Sequence, residues 1–507
     1  MEGSRRRAAR SSSLWGTVAV RWALPIGVAV AAIAVSAPGA LSHAMWGDEV
    51  ASARVVSESN LGGVLERVRT TESTPPAWYV LAWTVSKADD AVTNGALFSP
   101  VERLRLLSVL FVALASVLTM LWALRLLCDR LLAALAGVLV ALGSVPAIYA
   151  EHLRAYALVM LMSVTFGLFL VRVAARPEIW SWCALALCVW IGALTHYFFF
   201  LMVGAGAVWL WASRPRPPGG GKATIALGFG VLGFLPWLPG FLDQQGHGRY
   251  RWIGGFDAVS VADLPGSLFF GPSGLLFGLA RLALTVALIV GAVVLWRRQG
   301  GTAIVALALL PIAGAALVWA LGQPVFNQRN MLPVVPFLAI LVAAAPLALP
   351  RRLVNPVAVV GIAAAIAGAA FAQITLGRIE YDHVADALVQ EGWTVDDPIL
   401  VDLPRAKTSA RIAVAWYLPG HPTFARAPRV EHKCSRLFVV GHSSVLGPWL
   451  ARHSGDVEAV RELTSFDHPS RGRENGRIVI ARLRSFTDLP GELFYVRART
   501  IPCLRAS

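Results

Sequence analysis

Apolar runs, most of them about twenty residues long, recur from Ala23 to Thr375, and a run of that length can cross roughly 30 Å of hydrocarbon. Nothing else constrains this chain as much. A backbone in hydrocarbon must satisfy its own N–H and C=O groups, so such runs can only become helices packed on one another. The composition agrees: 56% of residues are hydrophobic and 15% charged, where a soluble globule carries roughly a quarter charged residues.

The net charge of +15 does not describe a nucleic-acid binder, because many of the basic residues sit in short turns between apolar runs. Basic residues there orient loops toward the cytoplasm. Nearly all are arginine, the lysines being Lys87, Lys222, Lys407 and Lys433. Arg5, Arg6, Arg7 and Arg10 precede the first run, Ala23–Leu41, and so predict a cytoplasmic N-terminus. That run is longer than the apolar core of a cleaved signal peptide, although "APGALSHA" is a loose cleavage site. Further spans are expected at Leu104–Leu126, Leu131–Tyr149, Ala155–Val171, Ile179–Thr195 and Tyr197–Trp211. They continue at Ala223–Phe241, Leu275–Trp296, Ala303–Leu321, Met331–Leu349 and Val354–Thr375. With the first run this makes about eleven transmembrane helices. Every turn then expected inside holds at least two basic residues: Arg125 and Arg130; Arg172 and Arg176; Arg214, Arg216 and Lys222; Arg297 and Arg298; Arg351 and Arg352. The Pro- and Gly-rich "RPRPPGGGK" (214–222) is one of these inner linkers, and there is no internal repeat.

Two regions stand apart from the spans. Residues 42–103 form a long first outer loop, where Trp78, Tyr79 and Trp83 in "TPPAWYVLAW" read as anchors of a helix lying at the interface. The tail, 376–507, is polar and falls outside by the odd span count. "PILVDL", "RLFVVGH" and "GRIVIARL" look like strands in it, with "KTSARIAVAWYL" and "VLGPWLARH" as helices. The fold class is therefore a polytopic α-helical membrane protein, with a transmembrane domain over 1–375 and a small extracytoplasmic α/β soluble domain over 376–507. Cys434 and Cys503 in that tail are either a disulfide or two thiols.

The unusual polar residues collect at one end of the spans. Asp48 and Glu49 follow the first run in "WGDEVASA"; Glu72, Thr74, Pro75 and Pro76 share its loop; Arg103 and Arg105 open the second span. The outer turns hold "YAEHLRAY" (149–156), "THYF" (195–198), "DQQGHGRYRW" (243–252) and "QPVFNQRN" (323–330). Ionisable groups at membrane depth are costly and face cavities or partners. Arginines can pair with a phosphate, and a carboxylate can take a proton from a hydroxyl. Singly, each has an ordinary reading: Asp48 as an N-cap, Glu151 neutralising Arg154, His196 and Tyr197 in an aromatic belt, Arg329 snorkelling to headgroups.

Taken in order, these motifs resemble the glycosyltransferase-C superfamily, above all its bacterial branch related to protein O-mannosyltransferases and lipid A aminoarabinose transferases. The matching stretches are "WGDEVASA", "STPPAWYVLAW", "LRLLSVLFV", "YAEHLRAYAL", "THYF", "LPWLP" and "FNQRNMLPVVP", spanning residues 40 to about 345. Thr74 stands where the pattern usually has His, Glu151 and His152 replace a Gln-Glu pair, and Asn330 replaces an aromatic. The resemblance implies a membrane sugar transferase with a polyprenyl-phosphate-sugar donor, inversion at the anomeric carbon, and a glycan, lipid or protein acceptor at the outer face of the cell membrane. Asp48 and Glu49 would be its catalytic acids, Asp48 the general base. Arg105, Tyr149, Glu151, His152, Arg154, His196, Tyr197 and Arg329 would line the substrate site. Some superfamily members use a divalent metal; no ligand set is evident here, and no cofactor is expected. A mannose or arabinose donor for envelope glycan follows family habit alone. A transporter or flippase for a lipid-linked anion and a non-catalytic envelope-assembly protein are the competing readings.

Overall fold

The computed structural model describes residues 2–92, 99–248, 253–270, 275–375, 381–394, 397, 399–402, 407–419, 424–426, 437–442, 451, 457–463, 478–483 and 494–496. It separates into two compact units, one of Met1–Leu41 and Val55–Ala372, the other of Ser42–Arg54 and Gln373–Ser507.

The helices run α1 (Glu2–Ser42), α2 (Gly47–Val56), α3 (Leu61–Thr71), α4 (Ala77–Val92), α5 (Pro100–Leu127), α6 (Arg130–Leu142), α7 (Ser144–Ala150), α8 (Tyr156–Ala175) and α9 (Ile179–Thr195). They continue as α10 (Phe199–Ala212), α11 (Gly220–Leu232), α12 (Leu238–Gly246), α13 (Ala258–Phe270), α14 (Leu275–Trp296), α15 (Gly301–Ala320), α16 (Val335–Ala344) and α17 (Arg351–Thr375). Among the described residues, eight helical segments are long and apolar enough to cross a bilayer, and α6 with α7, bent by 54°, makes a ninth. The chain is a multi-pass membrane protein, and each expected span falls on helix, but two of the eleven, at α9 and α10, are only 17 and 14 residues long and fall short of that length. Local chemistry fixes several ends. Ser99 and Glu102 form a reciprocal capping box at the start of α5, and the Asp129 carboxylate accepts the Leu131 and Leu132 amides at the start of α6.

The sequence expectation misses α13, which lies in the expected outer loop and buries Leu264, Leu268 and Phe269. Its 13 residues are too few to read as a span, and Pro265 interrupts the pattern. Burial then sorts the helices. The segment Gln328–Ala348 is 78% buried within the protein, whereas α14 and α17 are each 22% buried and turn most of their apolar surface outward. Residues such as Leu279, Leu282, Val286 and Ile289 on α14 are exposed in the way lipid-facing side chains must be.

The second unit contains α18 (Tyr381–Gln390), α19 (Lys407–Tyr417) and six strands: β1 (Ile399–Asp402), β2 (Phe424–Arg426), β3 (Leu437–His442), β4 (Val457–Leu463), β5 (Ile478–Leu483) and β6 (Phe494–Val496). One sheet has the order β1-β3-β5-β4, with β1 parallel to β3 and the other pairs antiparallel; β2 and β6 form an antiparallel pair. Ile399, Phe438, Val440 and Ile480 pack with Val384 and Leu388 of α18, Val414 of α19 and Leu418 just after it. Val439 and Ala481 on the opposite face are buried as well, so β3 and β5 are covered on both sides, as their continuous apolar runs suggest. The expected helix at 445–453 and both Cys434 and Cys503 lie outside the described residues, apart from residue 451.

Candidate active site

Asp48 and Glu49 lie in the first turn of α2 and belong to the second unit. The helix starts at Gly47, so Asp48 is inside it and does not act as the N-cap. Glu49 does the capping: its Oε2 accepts the Trp46 amide at 3.1 Å, and its side chain is fully buried. Asp48 is half-buried. Two tyrosines of the same unit hold the segment that leads into α2. The Met45 amide donates to the Tyr417 hydroxyl at 2.7 Å, and the Trp46 ring meets the Tyr381 ring edge-on at 6.4 Å.

The other expected site residues belong to the first unit. Arg154 lies in the turn between α7 and α8, whose shape is fixed by two bonds to the His152 carbonyl, from the Arg154 amide at 2.9 Å and from Ser108 Oγ at 2.9 Å. Its guanidinium donates to Glu72 Oε2 at 2.8 Å and to the Tyr79 hydroxyl at 3.2 Å. Tyr79 in turn donates to Glu72 at 2.7 Å, and its oxygen lies 2.9 Å from Thr74 Oγ1. Burial holds the Tyr79 phenol well above its ordinary value, so it remains a neutral donor. Four residues from α4, the loop before it and the α7–α8 turn thus form one buried polar network. Trp78 and Tyr79 were expected as interfacial anchors; both are fully buried in the protein. Thr74, the departure from the family pattern, is a working member of the network.

Aromatic rings link this network to the remaining residues. Tyr149 meets His152 at 5.1 Å and Tyr156 at 4.6 Å, both edge-on; Tyr156 lies 5.6 Å from His196. The Arg329 guanidinium sits 5.8 Å from the centre of the Tyr156 ring. His196 Nδ1 accepts the Phe198 amide at 3.3 Å, which assigns the proton of the neutral ring to Nε2. Glu151 is buried against α1: a Cβ on Gly39 would stand 2.3 Å from its Oε2, so a side chain there would make the carboxylate shift. Arg105 is buried and donates to the Ala40 carbonyl at 3.4 Å. Tyr197 instead joins a bracing set, donating to Gln244 Oε1 at 2.5 Å and accepting from Trp237 Nε1 at 3.1 Å. Gln244 Nε2 passes this on to the Val68 and Thr74 carbonyls at 2.8 and 3.2 Å.

His196 carries a pH prediction. Burial first, then the Arg329 and Arg154 guanidiniums, push its imidazole down to about 3 from 6.5. Between those values the unfolded chain binds a proton that the folded chain does not, so stability falls as pH drops below about 6.5. Thermal melting should decline from pH 7 to pH 5, and His196→Gln should flatten that decline. An unchanged slope in the variant would remove His196 as its source.

Among the described residues no group of three or more His, Cys, Asp or Glu side chains could hold a metal ion. Sequence reasoning passed over Tyr79, Gln244 and Trp237 as site builders; an aromatic or amide near a span end gives no sign of which way it faces.

ArnT from Cupriavidus metallidurans bound to undecaprenyl phosphate superposes with a TM-score of 0.56 at 13% identity, over 91% of this chain and 98% of that one. The chain has the ArnT fold. The apo state of ArnT gives a TM-score of 0.52 at 13% identity, over 93% and 98% of the two chains. An Archaeoglobus fulgidus oligosaccharyltransferase gives 0.46 at 10% identity, over 87% and 72%. No family model and no curated protein matches the sequence. The likeness to ArnT takes in both the membrane helices and the C-terminal region, so it agrees with the resemblance to lipid A aminoarabinose transferases drawn from the short motifs.

Proposed function

We propose that this protein transfers a sugar from a polyprenyl-phosphate-sugar donor to a hydroxyl of a glycan, lipid or protein at the outer face of the membrane. The observation that carries the reading is the convergence of Arg329 and Arg154 on a neutral His196 that lies beside Tyr156, on a chain with the fold of a protein crystallised with undecaprenyl phosphate.

In the proposed step the acceptor oxygen attacks the anomeric carbon while Asp48 takes its proton. The bond from that carbon to the phosphate oxygen breaks, and its electron pair stays with the phosphate. Polyprenyl phosphate leaves, and the anomeric centre inverts. Arg329 and Arg154 stabilise the charge that grows on the leaving phosphate. Glu72 and Tyr79 orient Arg154 for that task through the bonds to its NH1. Glu49, bound to the start of its own helix, fixes the first turn of α2 and leaves the base role to Asp48. The N-terminus is cytoplasmic and the C-terminal region extracytoplasmic in this reading, which follows the arginine-rich turns.

A transporter should keep buried charges midway along its spans. Among the described residues of the membrane unit, the buried charged side chains Glu72, Arg105, Glu151 and Arg154 lie in turns or near helix starts. The test is sugar release from a panel of radiolabelled polyprenyl-phosphate pentoses and hexoses in membranes holding the protein. Turnover of one donor, inhibited by added undecaprenyl phosphate, is the expected result. Movement of intact donor across the bilayer without release of sugar would sink the transferase reading.

A further inference from the structure

An open pocket of about 340 Å³ lies at the opposite end of the membrane unit from Arg154. α8 measures the separation: it begins two residues after Arg154 and ends, 20 residues on, in the pocket wall, a rise of about 30 Å. The wall has two chemistries. Trp122, Leu126 and Val171 make it apolar, while Arg125, Arg172 and Arg176 line it with charge.

Some of that charge has local work. Arg125 and Arg172 sit in the last turns of α5 and α8, where a cation offsets the helix dipole. Arg172 also binds Glu178 at 2.8 Å and covers the Trp180 ring at 4.6 Å. The arginines outnumber the acids. Arg176, past the end of α8, shares Glu178 with Arg172, and Arg298, donating to the Leu126 carbonyl at 3.5 Å, adds a further positive charge beside the pocket. The neighbouring acids are Glu178, held by Arg172, and Asp129, which caps α6. Gly300, also in the wall, has the left-handed φ of 78° that a side chain resists, and it opens α15 without a side-chain cap. The positive end of a 20-residue helix therefore adds to the arginines.

We infer that this pocket binds the phosphate of an anionic glycerophospholipid, with the glycerol end of the acyl chains against its apolar wall. Forked arginines suit the phosphodiester, and the tryptophan–leucine–valine wall suits the glycerol backbone and the first methylenes. A free phosphate would have no use for that wall. The site is separate from the proposed sugar-transfer chemistry and does not depend on it.

Native mass spectrometry of the full chain, purified in detergent and offered phosphatidylglycerol or phosphatidylcholine of equal chain length, tests this. Phosphatidylglycerol should be retained in preference, and Arg125→Gln with Arg176→Gln, which leaves the Arg172–Glu178 pair intact, should weaken its retention about 25-fold, or about 5-fold per arginine. If the double variant fails to insert, Arg176→Glu, beyond the end of α8, carries the same test. Equal retention of the two lipids, or undiminished phosphatidylglycerol on the variants, overturns the inference. Displacement of phosphatidylglycerol by millimolar inorganic phosphate also overturns it and assigns the pocket to a free phosphate.

Discussion

Asp48→Asn is expected to lower sugar transfer by about 10²–10⁴-fold, the range a positioned general base contributes. The amide keeps the size of the carboxylate and loses the proton acceptor, so the loss should appear in kcat with KM for the donor little changed. Glu49→Ala is the informative companion. Its side chain is fully buried and caps α2 through the Trp46 amide, so its replacement should cost stability of about 1 kcal/mol before it costs chemistry. The assay is initial rates in proteoliposomes at matched, correctly inserted protein. Equal rates for wild type and Asp48→Asn would remove Asp48 as the base.

Glu72→Ala is expected to destabilise the protein by about 3–5 kcal/mol, the usual cost of removing one partner from a buried ion pair. The side chains of Arg154 and Glu72 are 9% and 3% exposed, so little solvent is at hand to replace the lost carboxylate. Arg154→Met alone should cost a similar amount by stranding Glu72. The double variant should cost less than the sum, because both charges leave the interior together. Thermal melts of the four proteins in one detergent make the cycle. A loss below about 1 kcal/mol for Glu72→Ala would mean that the pair is solvated or repaired by a neighbour.

The sequence reveals the membrane fold well because hydrocarbon imposes one demand on every span, a long apolar helix, and α13 escapes notice because it is short and interrupted by Pro265. The cluster that makes up the candidate site is legible for a related reason: buried arginines and histidines are expensive, so their gathering at one end of the spans stands out. Pairing is another matter. Glu72 and Arg154 are 82 residues apart, and no local pattern couples them. Tyr79 reads as an interfacial anchor, since an aromatic at the end of an apolar stretch looks alike whether it faces lipid or a buried guanidinium. The membership of the acid helix in the C-terminal unit is equally hidden, the Met45–Tyr417 bond spanning 372 positions.

That bond bears on how variation in this chain should be interpreted. A change at Tyr417 or Tyr381 would be scored as remote, beyond the last membrane helix in the sequence, yet Tyr417 is one hydrogen bond from the residue three places before Asp48. Exchanging the C-terminal region between homologues, or trimming it to ease crystallisation, would replace the footing of the acid helix along with the appendage. Residues 42–54 and the tail are best inherited, exchanged and engineered as a single piece.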